Sequence, residues 1–265
     1  CNNFCSYCIV PYTRGREKSR DVSAILEEIK SISMDGCKEV TLLGQNVNSY
    51  GKTLTEPKKF SYLLEQVSAI KGIERVRFMT SHPKDLTDDV IDVMKQYDNI
   101  CNHIHLPLQS GSNNVLKLMN RHYTKESYLE LVKKLRNAIP DIAISTDIIV
   151  GFPAETEDDF LETLDVVEKS QFDSAFTFIY SPRNGTTAAK MKESVSKEAI
   201  QNRFGRLLDL QYQIMHNNAQ QFKGTIVEVI AEGPSKTNEL MMSGRTKTNK
   251  LVNFSGNCNI GDTVN

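Results

Sequence analysis

Long apolar runs are missing from this 265-residue chain. No stretch of about 18 uninterrupted apolar residues exists, which argues against a membrane-spanning helix. The first residues are polar and rich in cysteine, unlike the basic segment and apolar core of a secretory signal. An excess of either charge is missing too: 32 Lys and Arg face 33 Asp and Glu, a net charge of −1. Contact with nucleic acid would therefore have to come from local basic patches. No internal repeat or low-complexity tract appears. What remains, 39% hydrophobic and 25% charged residues, is ordinary for a globular protein. The length allows one large domain, or one large and one small.

Six cysteines are present, and three fall within the first eight residues: Cys1, Cys5 and Cys8, spaced C-x-x-x-C-x-x-C. Thiolates this close in one loop can converge on a single metal centre, and three ligands leave a coordination position open. A structural zinc site would recruit a fourth ligand, for which Cys37, Cys101, His103 and His105 are the candidates. A disulfide framework fits less well, since three is an odd number. A 4Fe-4S cluster with three protein thiolates and one free iron fits best. Unpaired cysteines and an oxygen-sensitive cluster together point to a reducing, cytoplasmic setting.

From residue 21 to about 180, amphipathic helices alternate with short apolar strands, the pattern of parallel βα units. Asp21 caps a helix that stops at Gly36. Strands are predicted at Glu39 to Leu43, Arg75 to Thr80, His103 to Leu106, Ile142 to Val150 and Ser174 to Tyr180. The helices between them are Tyr62 to Ile70, Asp88 to Tyr97, Lys125 to Ala138 and Glu157 to Ser170. In such barrels the chemistry sits at the carboxyl ends of the strands. The loops there mix Gly or Pro with hydrogen-bonding side chains, among them Gly44-Gln45-Asn46, Thr80-Ser81-His82-Pro83, Gln109-Ser110-Gly111, Gly151-Phe152-Pro153-Ala154-Glu155 and Tyr180-Ser181-Pro182-Arg183. Each read alone is equally an ordinary turn. Asp147 lies inside an apolar strand and needs a partner, either a cofactor or substrate group or a structural hydrogen bond.

His103 and His105 share one strand face with Cys101, but no further ligand joins them, so a metal there is discounted. Arg121 is read as a helix-end arginine bound to nothing. Lys197 to Phe222 is one long helix with an apolar stripe of Phe204, Leu207, Leu208, Leu210, Tyr212, Ile214 and Met215. Short β-type runs follow at Thr225 to Ile230, Leu240 to Met242 and Leu251 to Phe254. The expected division is residues 1–222 and a small all-β module of 223–265. Basic patches lie at Arg14, Arg16, Lys18 and Arg20, and at Arg245, Lys247 and Lys250.

The run Cys1-Asn2-Asn3-Phe4-Cys5-Ser6-Tyr7-Cys8-Ile9-Val10-Pro11-Tyr12-Thr13-Arg14-Gly15-Arg16-Glu17 resembles the cluster loop of radical S-adenosylmethionine (SAM) enzymes, in their methylthiotransferase branch. The segments Thr41 to Gly51, Phe78 to Pro83 and Tyr180 to Arg183 resemble the members that act on isopentenyladenosine beside the tRNA anticodon. A relative acting on threonylcarbamoyladenosine in tRNA, or a non-catalytic zinc and RNA-binding module, is the alternative. The resemblance implies an α/β fold, a partial (β/α)6 barrel, followed by a TRAM-like, OB-like RNA-binding β-barrel at Glu228 to Gly233, Ser243 to Lys250 and Gly261-Asp262. It implies that Cys1, Cys5 and Cys8 ligate a 4Fe-4S cluster whose free iron chelates SAM, and that Tyr7 packs near the cofactor. Gly44, Gln45 and Asn46 would meet the methionine end of SAM, and Gly151, Phe152 and Tyr180 its adenosine end. Gln109, Ser110 and Asp147 join them as cofactor-binding residues, and Arg121 occupies a position near the cofactor carboxylate. The family commonly has Gly where this chain has Ala154, so if that backbone needs positive φ the loop here is expected to differ slightly. Expected partners are tRNA, touched by Arg14, Arg16, Arg245, Lys247 and Lys250, and an electron donor such as flavodoxin or ferredoxin. The chain is expected to act as a monomer and to be a piece of a longer enzyme whose N-terminal domain holds a second, auxiliary 4Fe-4S cluster.

Overall fold

The computed structural model describes residues 1–192 and 195–265. A cysteine-bearing loop leads into a one-turn helix α1 (Val10–Arg14) and the amphipathic α2 (Val22–Met34). Asp21 caps α2 by accepting from Ser23 N–H at 2.9 Å. Parallel βα units follow: β1 (Glu39–Leu42), α3 (Phe60–Ser68), β2 (Arg75–Phe78), α4 (Asp88–Gln96), β3 (His103–His105), α5 (Asn113–Leu118), α6 (Lys125–Ala138), β4 (Ala143–Val150), α7 (Glu157–Ser170) and β5 (Ser174–Ile179). α6 and α7 span the residues the sequence predicts, and each opens on a capping box that fixes its start, Thr124 with Ser127 and Thr156 with Asp159.

β1 pairs with β2, and β3, β4 and β5 pair in order, all parallel. Bonds from Val76 N–H to Asn99 O and from Cys101 N–H to Val76 O join the two sheets into one open arc. Strand alternation then divides the residues by face. Val40, Val76, Phe78, Ile104, Ile144, Ile148 and Val150 turn outward into the helical layer and form the core. Glu39, Arg75, Arg77, His103, His105, Ser145 and Asp147 turn into a polar lumen, where Arg77 pairs with Glu39 at 2.8 Å.

Helix α8 (Lys197–Gln220) packs against β4, β5 and α7. Its buried face runs through Arg203, Leu207, Gln211 and Ile214, while Tyr212 is 63% exposed. The predicted stripe is therefore corrected: two polar residues take the inner face because each has a partner there, Glu155 for Arg203 and Phe172 O for Gln211. An antiparallel sheet follows, β6 (Val229–Pro234), β7 (Met242–Arg245), β8 (Leu251–Phe254) and β9 (Thr263–Val264), in the order β8-β7-β6-β9. It closes the amino-terminal end of the barrel strands. Arg75 reaches down to Arg245 O at 2.5 Å and to Glu228, and Arg77 to Thr246 O at 2.8 Å. The carboxyl ends of the strands remain open.

Candidate cofactor site

The loop of residues 1–8 is held over the open end by hydrogen bonds. Ser6 N–H donates to Met119 O at 3.0 Å and its hydroxyl to Leu118 O at 2.8 Å, while Ser6 O accepts from Ala188 N–H at 2.8 Å. Asn120, left-handed at φ 57°, donates its amide to Phe4 O at 2.9 Å. Cys8 N–H closes a turn on Cys5 O at 3.0 Å. The thiols of Cys1, Cys5 and Cys8 are free and half-buried.

Two N–H donors reach these sulfurs: Asn3 Nδ2 meets Cys1 Sγ at 3.3 Å, and Arg121 Nη1 meets Cys5 Sγ at 3.3 Å. Donors of this kind stabilise thiolate ligands and tune an iron–sulfur centre. Arg121 is thus far from unattached, which corrects the sequence reading. Its Nη2 also bonds Pro107 O, and its Nε bonds Tyr123 Oη, whose proton goes to Leu108 O at 2.6 Å. Sequence spacing could not show this, because Arg121 and Cys5 are 116 residues apart.

The donor set suits a cluster better than a single ion. Among the described residues no three His, Cys, Asp or Glu side chains are arranged to hold one metal ion. The fourth ligands that zinc would need are engaged elsewhere: Cys37 Sγ bonds Glu39 O, Cys101 is buried in the lumen, and His103 and His105 both bond Ser145. A cubane needs only three thiolates, the number this loop carries.

Beside the loop, Tyr7, Ile149, Phe152 and Tyr180 meet Val115, Met119 and Ala188 in an apolar cluster separate from the main core. Phe152 and Tyr180 pack edge to face at 5.2 Å. Burial holds the Tyr7 phenol well above its ordinary value, against the opposing charge of Arg121, so the ring stays neutral. Three of the predicted cofactor residues are thus brought together, although Phe152 is fully buried and shapes the wall from behind. Gly151 takes φ 75° and gives its N–H to Glu155 Oε2 at 2.9 Å. Ala154 adopts φ 69°. Alanine here accepts the left-handed conformation that glycine favours. Gln109, also left-handed at φ 69°, extends the β3–β4 pairing through Asp147 O and Ile149 N. Ser110 has no exposed surface and lies 3.3 Å from Thr163 on α7. It seats the loop on the helix, which corrects its expected place on the cofactor surface.

At the other end of the mouth, Gly44, Gln45 and Asn46 line a cleft of about 540 Å3 together with Cys1, Arg14 and Arg16. Asn46 donates to Asp85 at 2.7 Å, and Asp85 also takes Lys52 at 2.9 Å. Burial would raise the Asp85 carboxyl, but these bonds outweigh it and hold it below its ordinary value. Asn46 Oδ1, Ser81 Oγ, His82 Nε2 and both amide atoms of Asn48 are buried with no protein partner among the described residues. Such atoms are suited to a polar ligand. His82 is pushed down to about 3 by burial and then by Arg121 and Lys84, so its ring is neutral.

Lower in the lumen, His103 Nε2 and His105 Nδ1 lie 3.0 and 2.9 Å from the one hydroxyl of Ser145, and His105 Nε2 lies 3.4 Å from Asp147 Oδ1. Burial, helped by Arg77, pushes His103 down to about 3 and keeps it neutral.

The second basic patch lies at the opposite end of the barrel. Lys247 Nζ donates to Asp98 O at 3.0 Å, Arg245 pairs with Glu232 at 3.2 Å, and Lys250 sits 3.9 Å from Asp173 and over the Phe222 ring. Lys247 and Lys250 are engaged in the seam between sheet and barrel, whereas the Arg245 guanidinium pairs within the sheet, with Glu232 on β6.

A family model described as the radical SAM superfamily matches residues 1–167. The chain belongs to the radical SAM superfamily. As a radical SAM protein it takes a 4Fe-4S cluster and SAM, and the three-thiol loop and the polar mouth fit both. Similar folds are found in coproporphyrinogen III oxidase from Escherichia coli (TM-score 0.57, 14% identity, 93% of this chain and 64% of that one). The radical SAM methyltransferase TsrM from Kitasatospora setae is another (0.59, 16%, 71% and 37%). Among relatives, proteins named tRNA-2-methylthio-N(6)-dimethylallyladenosine synthase are 57% identical in Alkaliphilus oremlandii (100% of this chain, 56% of the relative) and in Clostridium tetani (100% and 58%). One from Caldicellulosiruptor saccharolyticus is 60% identical (96% and 54%). The chain spans a little over half the length of these relatives.

Proposed function

We propose that this chain is the radical SAM core of a tRNA methylthiotransferase of the MiaB type, placing a methylthio group on carbon 2 of dimethylallyladenosine (isopentenyladenosine) beside the anticodon. The observation that carries the reading is identity of 54–60% to proteins of that name along nearly the whole chain. Bound to Cys1, Cys5 and Cys8, the cluster supplies the electron that cleaves SAM reductively. The protein's own part is positional. Arg121 and Asn3 direct N–H groups at the ligating sulfurs, Tyr7 and Tyr180 wall the cofactor on one side, and Gly44, Gln45 and Asn46 border it on the other.

The sulfur would come from an auxiliary cluster held outside these 265 residues. In support, the remaining cysteines are dispersed: Cys37 follows α2, Cys101 lies in the lumen and Cys258 in the last sheet's loops. Residues 223–265 would be a TRAM-like RNA module, working in the cytoplasm with an electron donor such as flavodoxin; no helix among the described residues is long and apolar enough to cross a membrane. Exposed Arg14 and Arg16, at the rim of the cleft, are the better phosphate contacts. Lys247 and Lys250 instead hold the module on the barrel. The test is mass spectrometry of tRNA nucleosides after anaerobic reaction of the full-length enzyme with SAM, reductant and isopentenylated tRNA. The methylthio product is expected, and its absence at confirmed SAM cleavage would refute the substrate.

A further inference from the structure

The lumen holds a chain of hydrogen-bonding groups whose direction is set by chemistry. Asp147 offers only acceptor oxygens, and His105 Nε2 lies 3.4 Å from Asp147 Oδ1, a close charge-pair contact and not a formed hydrogen bond, so the tautomer of His105 that turns an N–H toward the carboxylate, with its proton on Nε2, is the favoured one. His105 Nδ1 is then an acceptor, and the Ser145 hydroxyl, 2.9 Å away, must donate to it. With its one proton so used, Ser145 Oγ accepts from His103 Nε2–H at 3.0 Å. The two histidines and the serine are buried, while the Asp147 side chain is 26% exposed. Asp147 Oδ2 has no protein partner among the described residues. Phe176, opposite Asp147 in the sheet, packs edge to face on His105 at 5.8 Å and restrains the ring from the side.

We infer that Ser145 is a positioning residue: by fixing His103 and His105 in one tautomer each, it holds the Asp147 carboxylate ready for the hydroxyls of the SAM ribose. The inference rests on the radical SAM reading of the site and on Asp147 as a cofactor contact, and it adds a layer beneath that contact. Without the serine hydroxyl, the two ring nitrogens that faced it lose their common partner, and His105 is free to turn or to change tautomer. The carboxylate then loses its orientation while its charge stays.

The experiment uses the cluster-loaded chain, labelled with 15N-histidine and kept at about pH 8. Long-range 1H–15N correlation should show His103 and His105 both protonated on Nε2, and Ser145→Ala should release His105 from that single state. Protonation of His105 on Nδ1 in the unaltered chain would overturn the inference. In parallel, equilibrium dialysis measures SAM binding by Ser145→Ala, Asp147→Asn and the double variant at matched iron content. Ser145→Ala should weaken SAM about fivefold, the size of one lost hydrogen bond. It should add nothing in the Asp147→Asn background, because its whole effect passes through that carboxylate. Full additivity, or no loss in either single variant, would overturn the inference. Neither arm contains tRNA, so failure here leaves the proposed reaction standing, and failure of methylthiolation leaves this arrangement standing.

Discussion

Arg203 on α8 closes on Glu155 in the loop after β4 across 48 residues of chain, Nη1 to Oε2 at 3.0 Å, with both side chains under a tenth exposed. Glu155 Oε2 also receives Gly151 N–H, so this buried pair braces the loop assigned to the adenosine end of SAM. Breaking such a pair from one side leaves a buried charge uncompensated, at a cost of about 3–5 kcal/mol. Arg203→Met should lower stability by that order in urea denaturation. Adding Glu155→Gln should recover part of the loss, because the orphaned carboxylate is then gone.

Ala154 points to a gain instead. Its φ of 69° is costly for a residue with a Cβ. Ala154→Gly should stabilise the chain by about 0.5–1 kcal/mol, the relief of that strain less the extra freedom of glycine in the unfolded chain. A destabilised Ala154→Gly protein in the same denaturation assay would mean that the methyl group packs usefully.

His103 should make stability depend on acid. Its folded pKa, about 3, lies below the ordinary value near 6.5, so between these limits the unfolded chain binds a proton that the folded chain refuses. Stability from this group is complete above about pH 6.5 and falls by about 1.4 kcal/mol for each pH unit below it, until about pH 3. Urea midpoints taken from pH 7 to 5 should decline accordingly, and His103→Gln should lessen the decline, leaving the similar part due to His82, whose value is also pushed down to about 3.

Salt dependence separates the two basic patches. If Arg14 and Arg16 each neutralise a phosphate, replacing both with Ala should lower the slope of log affinity for tRNA against log salt by about 1.4–1.8. Lys247→Ala should leave the slope unchanged, since its ammonium is bound to Asp98 O. A reversed pattern in filter-binding titrations would return the RNA contact to the C-terminal sheet.

Much of the fold was legible because local chemistry announces it. Capping residues and apolar periodicity mark α6 and α7 to the residue, and all five parallel strands lie where alternation and turn residues place them. Asp147 could be assigned to the polar interior from strand alternation alone. The short α1 and α5 were missed, since five or six residues carry too little periodicity to register.

Within the site, the cysteine spacing is a local signal and the apolar wall of Tyr7, Phe152 and Tyr180 follows from the resemblance. Arg121 on Cys5, Arg203 on Glu155 and Arg77 on the last sheet are contacts between residues dozens of positions apart, and no local pattern encodes them. The same limit explains Ser110, whose turn chemistry is equally that of a rim residue and of a helix seat. It also explains the basic hairpin, because a run of cations reads alike whether it faces RNA, water or the floor of a barrel.

The central claim is that Cys1, Cys5 and Cys8 hold the cluster that cleaves SAM. Release of 5'-deoxyadenosine, measured anaerobically with dithionite and SAM in the reconstituted chain and in Cys5→Ala, tests it most directly. The account predicts steady release from the unaltered chain carrying about four irons, and none from Cys5→Ala, which loses both an anchor and the sulfur that Arg121 meets. Equal release from the two proteins, or an unaltered chain that is colourless and carries zinc, would contradict it.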